Sequence, residues 1–297
     1  MKYFRNNYFL IIVFLSYQLI AQKDTVSFNH KFERCVMECN PKNLLDYFEA
    51  NHYKKEDIIN AASYLTYHGN DKCGNELAKL CIAKNDSITA GNWHAFSVQN
   101  TKNGNYAEAI YGLENSLAIA AHEMEGYYGW VLLYYYRDYN RALLHLNHYD
   151  SLTPNDIDAP VGENIHFLKG LCYYQLNEFE KSISEFKINE NFEIKSFNKK
   201  NVNAYIYFYI ARNYDKLNNF KLAETFYKKA IRQAQFPIEA NYYLGMLYKY
   251  KIKNTKKAIS YLDKSFKDFL KGYKQQDIYI ELFDEVYYLQ IKEEIEN

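Results

Sequence analysis

Three groups of side chains in this sequence have the types and spacing for chemistry. His145 and His148, with Asp150 close behind, could touch one metal ion, but no fourth ligand follows, and solvated histidines are the stronger reading. His122-Glu123 opens like a zinc-protease helix, yet Gly126 stands where the second histidine ligand belongs. Cys35, Cys39, Cys73 and Cys81 form two pairs whose oxidation would tie the N-terminal segment to the first helical hairpin, with the connectivity open. Cys35, Cys39 and Cys73 with His68 lack the tight double CxxC spacing of a metal site, and Cys172, beside Tyr173 and Tyr174, reads as a small core residue. There is no phosphate-cradling glycine loop and no Gly-x-Ser-x-Gly elbow. The expectation is a protein that is not an enzyme and needs neither metal nor cofactor.

Charge is more informative than catalysis. The formal net charge is zero, which favours neither nucleic acid nor a membrane surface. It hides an asymmetry: residues 23–194 hold 15 Lys/Arg against 24 Asp/Glu, residues 195–274 hold 18 against 5, and residues 275–297 hold 1 against 7. The plainer reading is a solvated Lys-rich face. The functional one is an electrostatic dock for an anionic segment, which includes the chain's own acidic C-terminus.

These residues must be positioned by helices. With 4 prolines, 11 glycines, 32 tyrosines and 19 phenylalanines, the composition has few breakers and many large amphipathic side chains. In Ala204 to Ile231, Tyr207, Ile210, Ala211, Tyr214 and Leu217 fall on one helical face. The turn Leu217-Asn218-Asn219-Phe220 interrupts the period, and Ala223, Phe226, Tyr227, Ala230 and Ile231 restart it. The result is a helical hairpin that needs neighbours stacked on both sides. The small residue opening the second apolar stripe recurs at Ala109, Ala142, Ser182, Ala223 and Ala258, spaced by 33, 40, 41 and 35.

Trp93, Leu244-Gly245, Tyr139 with Ala142, Phe220 with Ala223 and Ala230, and Pro154 make the chain resemble the tetratricopeptide repeat (TPR) family over roughly residues 90–270. Two longer links, Asn155 to Gly162 and Glu190 to Asn203, and one extra residue between Gly245 and Ala258 depart from the pattern. The resemblance implies an all-α, right-handed superhelical solenoid of antiparallel helix pairs. It also implies a partner, a protein or peptide of acidic character, in a concave groove lined by first helices. By helical phase the residues pointing there are Tyr127, Tyr134, Phe167, Tyr174, Tyr205, Phe208, Arg212, Lys216, Tyr242, Met246 and Lys249. Aromatics supply contact area and the cations meet carboxylates. A glycan or other small ligand stacked on exposed tyrosines is the alternative.

Lys2 and Arg5 precede the short apolar run Tyr8 to Ala21, which reads as a secretory signal cleaved after Ala21, or else as a retained anchor. The expected organisation is a signal over 1–21, an N-terminal helical segment with a degenerate repeat or cap over 22–90, about five repeats over 91–274, and a capping helix over 275–297. The mature protein is expected in the periplasm or outside the cell, without stable membrane insertion.

Overall fold

The computed structural model describes residues 39–67, 70–84, 88–154, 156–198, 201–272 and 280–296, which hold fourteen α-helices and no strand. The signal-like segment 1–21 and Cys35 lie outside the described residues. The chain divides into two compact units between Ile119 and Ala120.

The first unit holds α1 (Pro41–Ala50), α2 (Lys55–Tyr67), α3 (Asp71–Ala83), α4 (Ala90–Lys102) and α5 (Tyr106–Ile119). Asn40 caps α1 by accepting the Asn43 N–H at 3.1 Å, with Pro41 preset at the first helical position. Helices α2 and α3 pair, as do α4 and α5, and α2 lies beside α4. Leu45, Ile59, Leu65, Leu77, Trp93 and Phe96 fill their core. Cys39 is disulfide-linked to Cys73 with Cα atoms 6.0 Å apart, which joins the start of α1 to α3. Cys81 is buried in the same core.

The second unit repeats one plan four times. Its pairs are α6 (Ala121–Val131) with α7 (Tyr139–Leu152), α8 (Ile165–Gln175) with α9 (Phe179–Ser196), α10 (Ala204–Lys216) with α11 (Phe220–Gln233), and α12 (Ile238–Met246) with α13 (Thr255–Leu270). Asp138, Asn219 and Asn254 cap α7, α11 and α13, each accepting a backbone N–H three residues on. Ala109, Ala142, Ser182, Ala223 and Ala258 are at most 1% exposed, because here the second helix meets the backbone of the first. The first helix must in turn be small where it meets the large residue one turn beyond each of these positions. A Cβ on Gly129 would lie 2.7 Å from Leu146 Cγ, and one on Gly245 2.8 Å from Leu262 Cγ.

The turn before each of these five small residues contains one left-handed residue, five positions ahead of it: Gly104, Arg137, Asn177, Asn218 and Lys253. Ala211 to Ala223 and Gly170 to Ser182 span twelve positions, whereas Gly129 to Ala142 and Gly245 to Ala258 span thirteen. The two pairs with the extra residue are those in which the first helix ends in a π-helical turn, Leu132–Tyr136 and Leu247–Ile252. The inserted residue is absorbed as a widened turn, leaving the packing on both sides in register.

Two stretches differ from the sequence expectation. Residues 190–196, expected within a link, continue α9, because Asn189 is buried and Glu193 accepts the N–H of Asn203 at 2.6 Å. Among its described residues the C-terminal stretch is helical only in α14 (Tyr288–Glu296), which packs on α13. Residues Ile280 to Tyr287 are non-helical and turn at Phe283-Asp284, where Asp284 has φ 59°. Aspartate tolerates this left-handed conformation better than most residues.

Candidate partner-binding groove

Helix α10 lies at the middle of the candidate groove. Every residue from Ile206 to Asn213 is buried, so the helix is covered all round. One side packs on α11 and another on α9. The C-terminal segment covers the remainder, since Tyr209 donates its hydroxyl to the Phe283 carbonyl at 2.8 Å and Arg212 grips Asp284.

Arg212 is the centre of the site. Its Nε lies 2.9 Å from Asp284 Oδ2 and its Nη2 3.2 Å from Oδ1, a forked pair. The guanidinium carbon sits 3.8 Å above the Tyr243 ring. Tyr174 donates to Asp284 Oδ2 at 2.6 Å, and Asp215 stands 3.6 Å from Arg212 Nη1. Burial works against the Arg212 charge, but Tyr227, Asp284 and Tyr174 outweigh it and hold the guanidinium protonated. Burial, opposed by Arg212, pushes the Asp215 carboxyl upward. It also pushes the Tyr174 hydroxyl up, and there Asp284 adds to it.

Two further cations flank this centre. Arg137 donates to the Glu281 carbonyl at 2.9 Å and its guanidinium lies 4.3 Å over the Phe283 ring. Tyr134 stacks on the same ring at 6.0 Å and Tyr139 meets it edge-on. Lys249 binds the carbonyl and carboxylate of Glu294 at 2.9 and 3.0 Å, and Tyr250 donates to that carboxylate at 2.7 Å. Arg137, Arg212 and Lys249, from three different helix pairs, thus face Glu281, Asp284 and Glu294. Both π-helical turns lie here: one carries Tyr134 and ends at Arg137, the other carries Lys249 and Tyr250.

Of the residues singled out from the sequence, Tyr134, Tyr174, Arg212 and Lys249 contact the C-terminal segment directly. Tyr242 and Met246 pack in one apolar cluster with Val286 and Ile291. Tyr205 reaches Glu239 at 3.4 Å and packs on Phe208 and Tyr209. Phe167 and Phe208 are packing residues, against Phe186 and Tyr209 and against Tyr227 and Tyr243 respectively. Tyr127 stacks on Trp130 at 6.0 Å, and Lys216 is exposed. Arg212 and Lys216, four apart, therefore occupy different environments. Sequence reasoning missed Arg137, Tyr209, Tyr243 and Tyr250. Arg137 sits five residues before Ala142, at the recurrent turn position, and that spacing is the signal that marks it.

The paired histidines are not simply solvated: Glu125 bridges them, 2.5 Å from His145 Nδ1 and 2.8 Å from His148 Nδ1. Asp150 instead accepts from Lys169 at 2.9 Å. Among the described residues no group of three or more His, Cys, Asp or Glu side chains is arranged to hold a metal ion. Nor is any helix among them long and apolar enough to cross a membrane.

No family model matches the chain. No curated protein matches it either. Solved structures do. The C-terminal part of a TPR repeat-containing protein from Cytophaga hutchinsonii superposes with a TM-score of 0.54 at 18% identity, covering 82% of this chain and 98% of that one. PilW, a type IV pilus biogenesis factor, gives 0.52 at 13% identity over 73% of this chain and 96% of its own. MamA from Desulfovibrio magneticus RS-1 gives 0.51 at 16% identity over 63% and 99%. The fold is TPR-like. At these identities the likeness extends to the fold alone.

Proposed function

We propose that this protein is an exported protein–protein interaction scaffold, and that the groove formed along α6, α8, α10 and α12 takes an acidic segment of a partner. The observation that carries this reading is the forked Arg212–Asp284 pair in a seat lined by Tyr174, Tyr209 and Tyr243. A buried cation held among aromatics recognises a carboxylate by geometry as well as charge. A peptide is favoured over a glycan because the groove tyrosines donate to carboxylates and to a main-chain carbonyl rather than offering free ring faces. The reading of export rests on the basic and apolar residues 1–21 and on the Cys39–Cys73 disulfide, which persists in oxidising compartments.

The test is a titration of the intact chain with an acidic, aromatic peptide at rising salt, beside Arg212→Lys and Lys249→Glu. Saturable binding that weakens at least tenfold in both variants supports the groove. Equal binding by all three proteins sinks it. For export, N-terminal sequencing of the protein recovered outside the cytoplasm should begin at Gln22.

A further inference from the structure

We infer that residues 280–287 are a cis-bound stand-in for the partner, so that the partner presents the same recognition pair, an aromatic residue followed directly by aspartate in a tight turn. This inference rests on the groove reading above and specifies its ligand.

Three observations carry it. The first is how the segment is read. Phe283 enters between Arg137, Tyr134 and Tyr139, while Asp284, in the left-handed conformation, is read by Arg212 and Tyr174. The turn is itself braced, because the Tyr287 hydroxyl lies 2.8 Å from Glu281 Oε1 and 2.7 Å from Glu285 Oε2 and donates its one proton between them. Ring and carboxylate are thus presented as a unit.

The second is the chemistry of the seat. A segment serving only to cover α10 would hold better by apolar packing, since a buried ion pair is a weak source of stability compared with well-packed hydrophobic side chains. Val286 supplies that apolar packing, and the seat adds to it a buried arginine and two tyrosine hydroxyls aimed at one carboxylate and one carbonyl, which is specificity beyond cover. Asp215, 3.6 Å from Arg212, stays with the body of the unit, so the guanidinium keeps a counter-ion when Asp284 leaves. That arrangement permits exchange without stranding a buried charge.

The third is connectivity. Leu270 ends α13 and Ile280 opens the docked segment, so the two are joined by nine intervening residues. A ligand carried on the same chain competes with any ligand added from outside. A partner must compete with it, and a mutation that loosens the tether's ligand must expose the seat.

The experiment uses the full chain and a fluorescein-labelled peptide of residues 280–290. The Phe283→Ala/Asp284→Asn chain should bind this peptide at least tenfold more tightly than the unaltered chain. Peptides carrying Phe283→Ala or Asp284→Asn should bind at least tenfold more weakly than the parent peptide. Equal affinity of the two chains, or indifference to the peptide's aspartate, overturns the inference. A Glu-rich peptide without the Phe-Asp pair that binds just as well through Arg212 leaves the groove reading standing and removes this one. Binding of no peptide at all removes both. In case the double variant is poorly folded, a protease site placed within residues 273–279 allows the folded chain to be nicked. The severed tail should then be replaced by the labelled peptide with helicity retained, whereas unfolding on loss of the tail would show it to be a fixed structural element and overturn the inference. A concentration-dependent dimer abolished by Phe283→Ala would assign the seat to a second copy's tail and overturn it as well.

Discussion

Arg212 and Asp284 lie 72 residues apart in the chain, yet Nε and Oδ2 are 2.9 Å apart and the guanidinium rests on the Tyr243 ring. This contact joins the basic stretch of the sequence to its acidic end. It also closes the open side of α10.

Asp284→Asn keeps the left-handed turn, which asparagine tolerates, but removes the charge opposite a buried arginine. Asp215 stays beside the guanidinium, so the cost is that of the lost charge-assisted forked hydrogen bonds, about 3 kcal/mol. The melting temperature should fall by roughly 6–12 °C, the shift expected for a unit of this size. Hydrogen exchange should speed up most across Ile280 to Glu296, and uniform protection there would contradict the role given to the pair.

Arg137 and Lys253 occupy equivalent left-handed turn positions, with φ 55° and 60°. Side chains other than glycine are strained there by about 1 kcal/mol. Lys253→Gly should therefore stabilise by about 0.5–1 kcal/mol, read as a small rise in denaturation midpoint. Arg137→Gly should not, because it forfeits the contacts with Phe283 and the Glu281 carbonyl. Identical shifts in the two variants would show that the Arg137 side chain contributes nothing.

The disulfide between Cys39 and Cys73 closes a loop with a sequence separation of 34. Chain-entropy arguments put its worth at about 3–4 kcal/mol. Cys39→Ser/Cys73→Ser should lower the stability of the first unit by about that much and leave the second unit's unfolding unchanged. Two resolved transitions in calorimetry would test both halves of this expectation.

Tyr174, Tyr205 and Tyr209 have hydroxyls pushed up by burial, and burial raises Tyr242 to about 12 from an ordinary value of 10.0. A folded state that keeps these phenols protonated binds more protons than the unfolded chain above pH 10, so stability falls as pH rises. Each such group contributes a slope of about 1.4 kcal/mol per pH unit in that window. Denaturant midpoints measured from pH 8 to 11 should be flat and then drop steeply, with the phenolate absorbance of these buried tyrosines appearing together with unfolding. Phenolate absorbance from these tyrosines in a chain that stays folded would contradict their burial.

Much of the architecture was legible in the sequence because it is local. The 3.6-residue period, the Asn-rich turns and the recurrent small residues each act within one helix pair, and Ala109, Ala142, Ser182, Ala223 and Ala258 marked the close contacts by size alone. The extra residue between Gly245 and Ala258 was visible as well. Its outcome was not, because a π-helical turn and a lengthened loop differ only in which carbonyls the added residue can reach. The charge asymmetry at the C-terminus was equally plain from composition. Tertiary structure alone decided where that acidic segment goes, that it turns at Asp284 rather than forming helix from the start, and that Arg212 and Lys216 have different fates. Those outcomes depend on the register of three helix pairs relative to a segment tens of residues away. That register is set by the sum of packing across the whole unit, a quantity that no local pattern of residues carries.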